Sequence, residues 1–141
     1  MSAVLRAHGD RFDADAFVAA SPWSDIKVYR RGEPKFPKSK PNGVKWPKTG
    51  LNVVASDADF DEFQTQVRDA IVFLKANGSE IRRLVRFAGV EDVGLDFAIS
   101  RRDVFVQCDC FPAELVRLAG ECGISLEQSH YPPVEGEAAA E

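Results

Sequence analysis

Long apolar runs are missing from this chain. The longest, Ala16 to Ala20 and Ala70 to Leu74, are five residues, far short of the ~20 that span a bilayer. The opening MSAVLRAHGD has no basic region followed by an apolar stretch, so it does not read as a secretory signal. A cytoplasmic setting is the expectation. Cysteine is scarce too: Cys108, Cys110 and Cys122 are odd in number and read as reduced thiols rather than a disulfide framework. The two histidines, His8 and His130, read as surface or strand-end residues rather than as the base of a nucleophile. H-E-x-x-H, G-x-G-x-x-G, P-loop and G-x-S-x-G patterns are all lacking, so the usual short signatures of metalloprotease, nucleotide and hydrolase chemistry are not there. Nothing in this inventory supports an enzyme, a cofactor or a metal.

What is present is one domain's worth of ordinary globular sequence. A chain of 141 residues can bury roughly two-thirds of its unfolded surface around a single core. The expected domain runs from 1 to 133, and residues 134–141, acidic and without periodicity, read as a flexible tail.

The net charge of −4 conceals an asymmetry. Lys27 to Lys48 hold eight Lys or Arg and one acid, a local +7, which leaves −11 on the remaining 119 residues. Most of this basic excess lies in GEPKFPKSKPNGVKWPKTG, residues 32–50, read as a Lys/Pro-rich loop. Lys35, Lys38, Lys40, Lys45 and Lys48 with Phe36 and Trp46 interleaved match the crude recipe for single-stranded nucleic acid, phosphate neutralisation plus stacking. Four prolines make the segment stiff, and Trp46 reads equally as an apolar anchor that pins the loop to the sheet, its ring buried and Phe36 and the lysines outside. An acidic body repels phosphate but complements a basic protein.

Hydrophobic periodicity outlines the rest. Ala3–His8 reads as a strand, and Asp13 as the N-cap of a short helix through Ala20. "DIKVYRRG" and "GLNVVAS" read as strands on either side of the basic loop. Phe60, Phe63, Val67, Ile71 and Leu74 mark one helix face, capped by Ser56 and Asp59 and stopped at Gly78. A second helix follows from Ser79 to Gly89. "GLDFAIS" and "DVFVQCDC" alternate and predict a hairpin around Arg101-Arg102. Pro112 opens a last helix closed by Gly123, and "ISLEQSHY" a last strand. The whole predicts an α+β, ferredoxin-like sandwich: a mostly antiparallel sheet of five to six strands with helices on one face.

Two clusters have both chemical and structural readings. The predicted strand turns Val104, Val106, Cys108 and Cys110 to one face, so the C-x-C pair reads as core packing rather than a metal site. Asp57, Asp59, Asp61 and Glu62 read as acids favouring a helix N-terminus rather than as a Mg²⁺ or acid–base site. Arg82, Arg83 and Arg86 read as a solvated helix face.

The early Gly9-x-x-Phe12-Asp13, Gly32, Trp46 with Thr49, and the closing aromatic-x-x-E-L…G-I-x-L unit from Phe111 to Leu126 together resemble small bacterial proteins of domain of unknown function 4279. The resemblance runs over roughly Ala3 to Pro133. It implies a small cytosolic protein without assigned catalytic residues, and by analogy with other small families an immunity protein that binds and blocks a toxin. The expected function is therefore a non-enzymatic protein-binding domain, with single-stranded nucleic-acid binding through the basic loop as the alternative.

Overall fold

The computed structural model describes residues 1–133; the expected tail at 134–141 lies outside the described residues. The chain runs β1 (Ala3–Gly9), α1 (Ala14–Ala19), β2 (Ile26–Tyr29), β3 (Pro34–Phe36), β4 (Lys40–Lys45), β5 (Thr49–Ser56), α2 (Phe63–Arg86), β6 (Asp92–Ser100), α3 (Ala113–Cys122) and β7 (Ser125–Tyr131). Five strands form one sheet in the order β2-β5-β1-β6-β7, and β3 and β4 form a separate two-stranded ribbon. Every neighbouring pair in the large sheet is antiparallel except β6 and β7. The fold is thus α+β with a five-stranded, mostly antiparallel but mixed sheet.

Alternation decides which face is covered. Ala3, Leu5 and Ala7 of β1, Leu51 and Val53 of β5, and Val93, Leu95, Phe97 and Ile99 of β6 enter one core. Phe17 of α1, Phe63, Val67, Leu74, Ile81 and Leu84 of α2, and Leu115 and Ala119 of α3 meet them there. All three helices therefore pack on this face. The other face carries Val4, Arg6 and His8, Asn52 and Val54, and Gly94, Asp96 and Ala98, in register across β5, β1 and β6.

Local signals placed several boundaries correctly. The Asp13 carboxylate accepts the Ala16 N–H at 3.1 Å, and Gly123 closes α3 in the left-handed region at φ +78°. Other boundaries moved. Helix α2 starts at Phe63 without a side-chain cap; the Ser56 oxygen accepts the Ala58 N–H at 3.2 Å, before the helix, while its hydroxyl donates to Asp69 at 2.6 Å. Gly78 does not stop it: the two expected helices run together across a non-helical residue, Asn77. Asn77 Nδ2 donates back to the Phe73 carbonyl, and its Oδ1 accepts from the Trp23 indole at 2.9 Å. This bridge ties the kink to the α1–β2 connection.

The hairpin expected around Arg101-Arg102 does not form. Residues 101–112 make no strand. The chain instead crosses over through α3, and β7 takes the edge of β6, with Leu95 beside Leu126 and Ser100 beside Tyr131.

Candidate functional site

The Lys/Pro-rich stretch contains the β3–β4 ribbon, which corrects its reading as a loop. Pro34 pairs with Lys45 and Phe36 with Lys40. Both strands of a two-stranded ribbon are edges, so prolines without an N–H donor are accommodated there. The base is closed by Gly32 N–H donating to the Trp46 carbonyl and Trp46 N–H to the Glu33 carbonyl, both at 2.9 Å.

Trp46 is half-buried rather than enclosed. Its indole stacks on Tyr29 with ring centroids 4.0 Å apart, while Lys35 Nζ lies 5.0 Å from the indole centroid. The Tyr29 ring lies against Gly50, where any Cβ would collide with the ring and hydroxyl. Burial raises the Tyr29 phenol above its ordinary value, opposed in part by the Arg6 charge. Trp46 is therefore engaged in the fold, and Phe36, 56% exposed, is the free aromatic of the ribbon.

The five lysines are not equivalent. Lys48 Nζ pairs with Glu91 Oε2 at 2.7 Å, which lowers the Glu91 carboxyl and raises the Lys48 ammonium from their ordinary values. Lys35, Lys38, Lys40 and Lys45 make no ion pair among the described residues.

The segment 101–110 is a second unusual surface. Phe105 is completely exposed, at 105% relative area, between Val104 and Val106, which are 52% and 64% exposed. The root of this loop is held by Gln107, whose amide accepts the Arg102 N–H at 2.8 Å and donates to the Ser100 carbonyl and to Asp109. The Asp109 carboxylate also accepts from Arg102 Nη1 at 3.3 Å. Cys108 and Cys110 are exposed, which overturns their placement in the core, whereas Cys122 is buried. Asp109 is the residue between them that turns inward; its side chain is 6% exposed.

At the root of the same loop, Asp61 and Glu62 share a cleft of about 330 Å³ with Arg102, Cys108 and Asp109. Asp59, Asp61 and Glu62 are exposed, with carboxylate oxygens within 4.8 Å of one another. They precede α2 instead of lying inside its first turn. Asp57 pairs with the Met1 amine at 3.1 Å. Of the three arginines expected on a solvated face, Arg83 is engaged: its guanidinium lies 3.9 Å from the Phe17 ring centroid and pairs with Glu80. His8 lies 3.6 Å from Asp92, and His130 is exposed.

The helix-free sheet face carries a polar cluster without a sequence signature. Asp96, 8% exposed, accepts from Arg6 Nε at 3.3 Å and from the Ser129 hydroxyl at 2.7 Å. The strand order β1-β6-β7 is what brings these three residues together. No family model, curated protein or solved structure matches this chain. Among the described residues, no helix is long and apolar enough to cross a membrane.

Proposed function

We propose that this chain is a protein-binding domain without catalytic chemistry of its own, and that it engages a basic partner surface through the 101–110 loop. The observation that carries the reading is the fully exposed Phe105 between two exposed valines. An apolar aromatic held out on a braced loop fits the anchor of an interface better than the surface of a solitary monomer. The carboxylates of Asp61 and Glu62 at the loop root, with the −11 carried outside residues 27–48, favour a cationic partner. The resemblance noted in the sequence adds the toxin bound by an immunity protein as one such partner. The strand order also supports a finer fold reading. Without the ribbon, β1-α1-β2-β5-α2-β6 has the connectivity of a ferredoxin-like core, to which α3 and β7 add a parallel edge.

The test places a photo-crosslinking residue at position 105 and identifies what it captures from cells of the source organism. With the captured protein purified, Phe105→Asp is expected to weaken binding about 30-fold or more, as loss of a ~2 kcal/mol anchor does, without changing the melting temperature. Unchanged binding would remove the loop from the interface. A substrate turned over by the purified chain would remove the non-enzymatic reading.

A second reading has one observation in its favour: Lys35, Lys38, Lys40 and Lys45 stand without ion pairs among the described residues, beside exposed Phe36. Four phosphate contacts on a single strand predict a log–log salt slope near −2.8, from ~0.7 per contact. No binding of oligonucleotides at low salt ends it.

A further inference from the structure

We infer that Cys108 and Cys110 form a reversible dithiol–disulfide couple whose reaction partner is a small glutathione-type disulfide. The argument starts from the residue between them. Asp109 is fixed at both its side chain and its main chain: the carboxylate accepts from Arg102 and Gln107, and the carbonyl accepts from Gln128 Nε2 of β7 at 2.9 Å. Asp109 is turned inward, and the thiols on either side of it are both exposed. The nearest hydrogen-bond acceptor of Cys110 is the neighbouring Phe111 carbonyl, 3.5 Å away. No other hydrogen bond commits either thiol among the described residues.

Chain geometry limits what the pair can become. One residue separates the two cysteines, so their Cα atoms lie at most about 7.2 Å apart even in a fully extended chain, close to the ~4.4–6.8 Å that a disulfide tolerates. The segment is held in no strand, so bending it closes the ring, and so small a ring makes the bond strained and easily reduced, as labile disulfides are. Cys122 behaves differently. It is buried in α3, and desolvation pushes its thiol up from the ordinary value, so it reacts slowly.

The exchange balances without any further reagent. One thiolate of the pair attacks oxidised glutathione, forming a mixed disulfide and releasing one glutathione thiolate. The second thiolate attacks the protein sulfur of that mixed disulfide and releases the second. Two electrons pass from the protein to the oxidised glutathione, and the two thiol protons go to the released glutathiones. The inference rests on the loop geometry and is independent of the protein-binding reading.

The full chain is incubated with graded mixtures of reduced and oxidised glutathione, quenched by alkylation and analysed by intact and peptide mass spectrometry. The expected product is a monomer lighter by two hydrogens, with the bond between Cys108 and Cys110 and Cys122 alkylated only after unfolding. Cys110→Ser and Cys108→Ser should each arrest as a single glutathione adduct at the remaining exposed thiol. Reduced glutathione should reverse both products. Two separate adducts on the unmodified chain, disulfide-linked dimers, or two thiols left free throughout the series would each overturn the couple.

Discussion

The indole of Trp46 lies on the phenol ring of Tyr29 with planes inclined by 27°, and Tyr29 in turn lies against Gly50. This stack is what attaches the ribbon to the sheet. Full enclosure of a Trp makes its replacement by Ala cost ~3–5 kcal/mol. Trp46 is half-buried, so Trp46→Ala is expected to cost about half of that, ~2 kcal/mol, read from the urea midpoint at an unchanged slope. Lys38→Gln at the ribbon tip should stay within ~0.5 kcal/mol of the parent. Equal effects of the two changes would mean that the stack does not hold the ribbon.

Gln66 is wholly buried, and its Nε2 donates to the Asp59 carbonyl at 3.1 Å and the Ala98 carbonyl at 2.9 Å. It bridges the α2 entry to β6. Gln66→Leu keeps the volume similar, adds apolar surface and removes the buried Oε1, which has no partner. The Asp59 carbonyl keeps the Glu62 N–H at 3.0 Å, but the Ala98 carbonyl loses its side-chain donor, at roughly 1–3 kcal/mol for a group left unpaired. A net loss of ~1 kcal/mol in urea unfolding is the expected outcome. A stabilised variant would show that the bridge contributes nothing.

Glu80 gives the fold a pH dependence of known sign. Its carboxyl is held below the ordinary 4.5, first by the hydrogen bond from Arg83, against burial and with help from the Ser21 hydroxyl. A lowered folded pKa contributes stability above the unfolded value, and that contribution is lost as pH falls through the folded value. The parent should therefore lose more stability than Glu80→Gln between about pH 6 and pH 3. Parallel curves for the two proteins would contradict the pairing.

The elements that were legible in the sequence are those whose partners are dictated by local pattern. Alternation in β1, β5 and β6 and the helical period of α2 match the buried sets. Asp13 and Gly123 act through backbone geometry within a few residues. What was illegible depends on competition at a distance. "DVFVQCDC" alternates as well as a true strand does, but β7 occupies the β6 edge it would need. Once that edge is filled, Asp109 is drawn inward by Arg102 and Gln107, and the cysteines end on the outside. Gly78 looks like a stop, yet the Trp23–Asn77 bond holds the chain in one kinked helix. The polar contacts among Arg6, Asp96 and Ser129 join three strands, and only the strand order brings them together.

Two glycines near the end of α3 are expected to respond in opposite directions. Gly120 lies inside the helix, with nothing within 4 Å of the point a Cβ would occupy and no left-handed backbone. Gly120→Ala lowers the entropy of the unfolded chain and raises helix propensity at no steric cost, worth ~0.5–1 kcal/mol of added stability. Gly123 has space as well, since its nearest neighbour is a Val85 methyl at 3.5 Å, but it sits at φ +78°. There an L side chain meets the following carbonyl, and Gly123→Ala is expected to cost ~1–2 kcal/mol. Available room is common to both sites, so backbone conformation alone separates them. Melting temperatures measured side by side should move up for the first and down for the second, and a shift of the same sign in both would refute the left-handed cap.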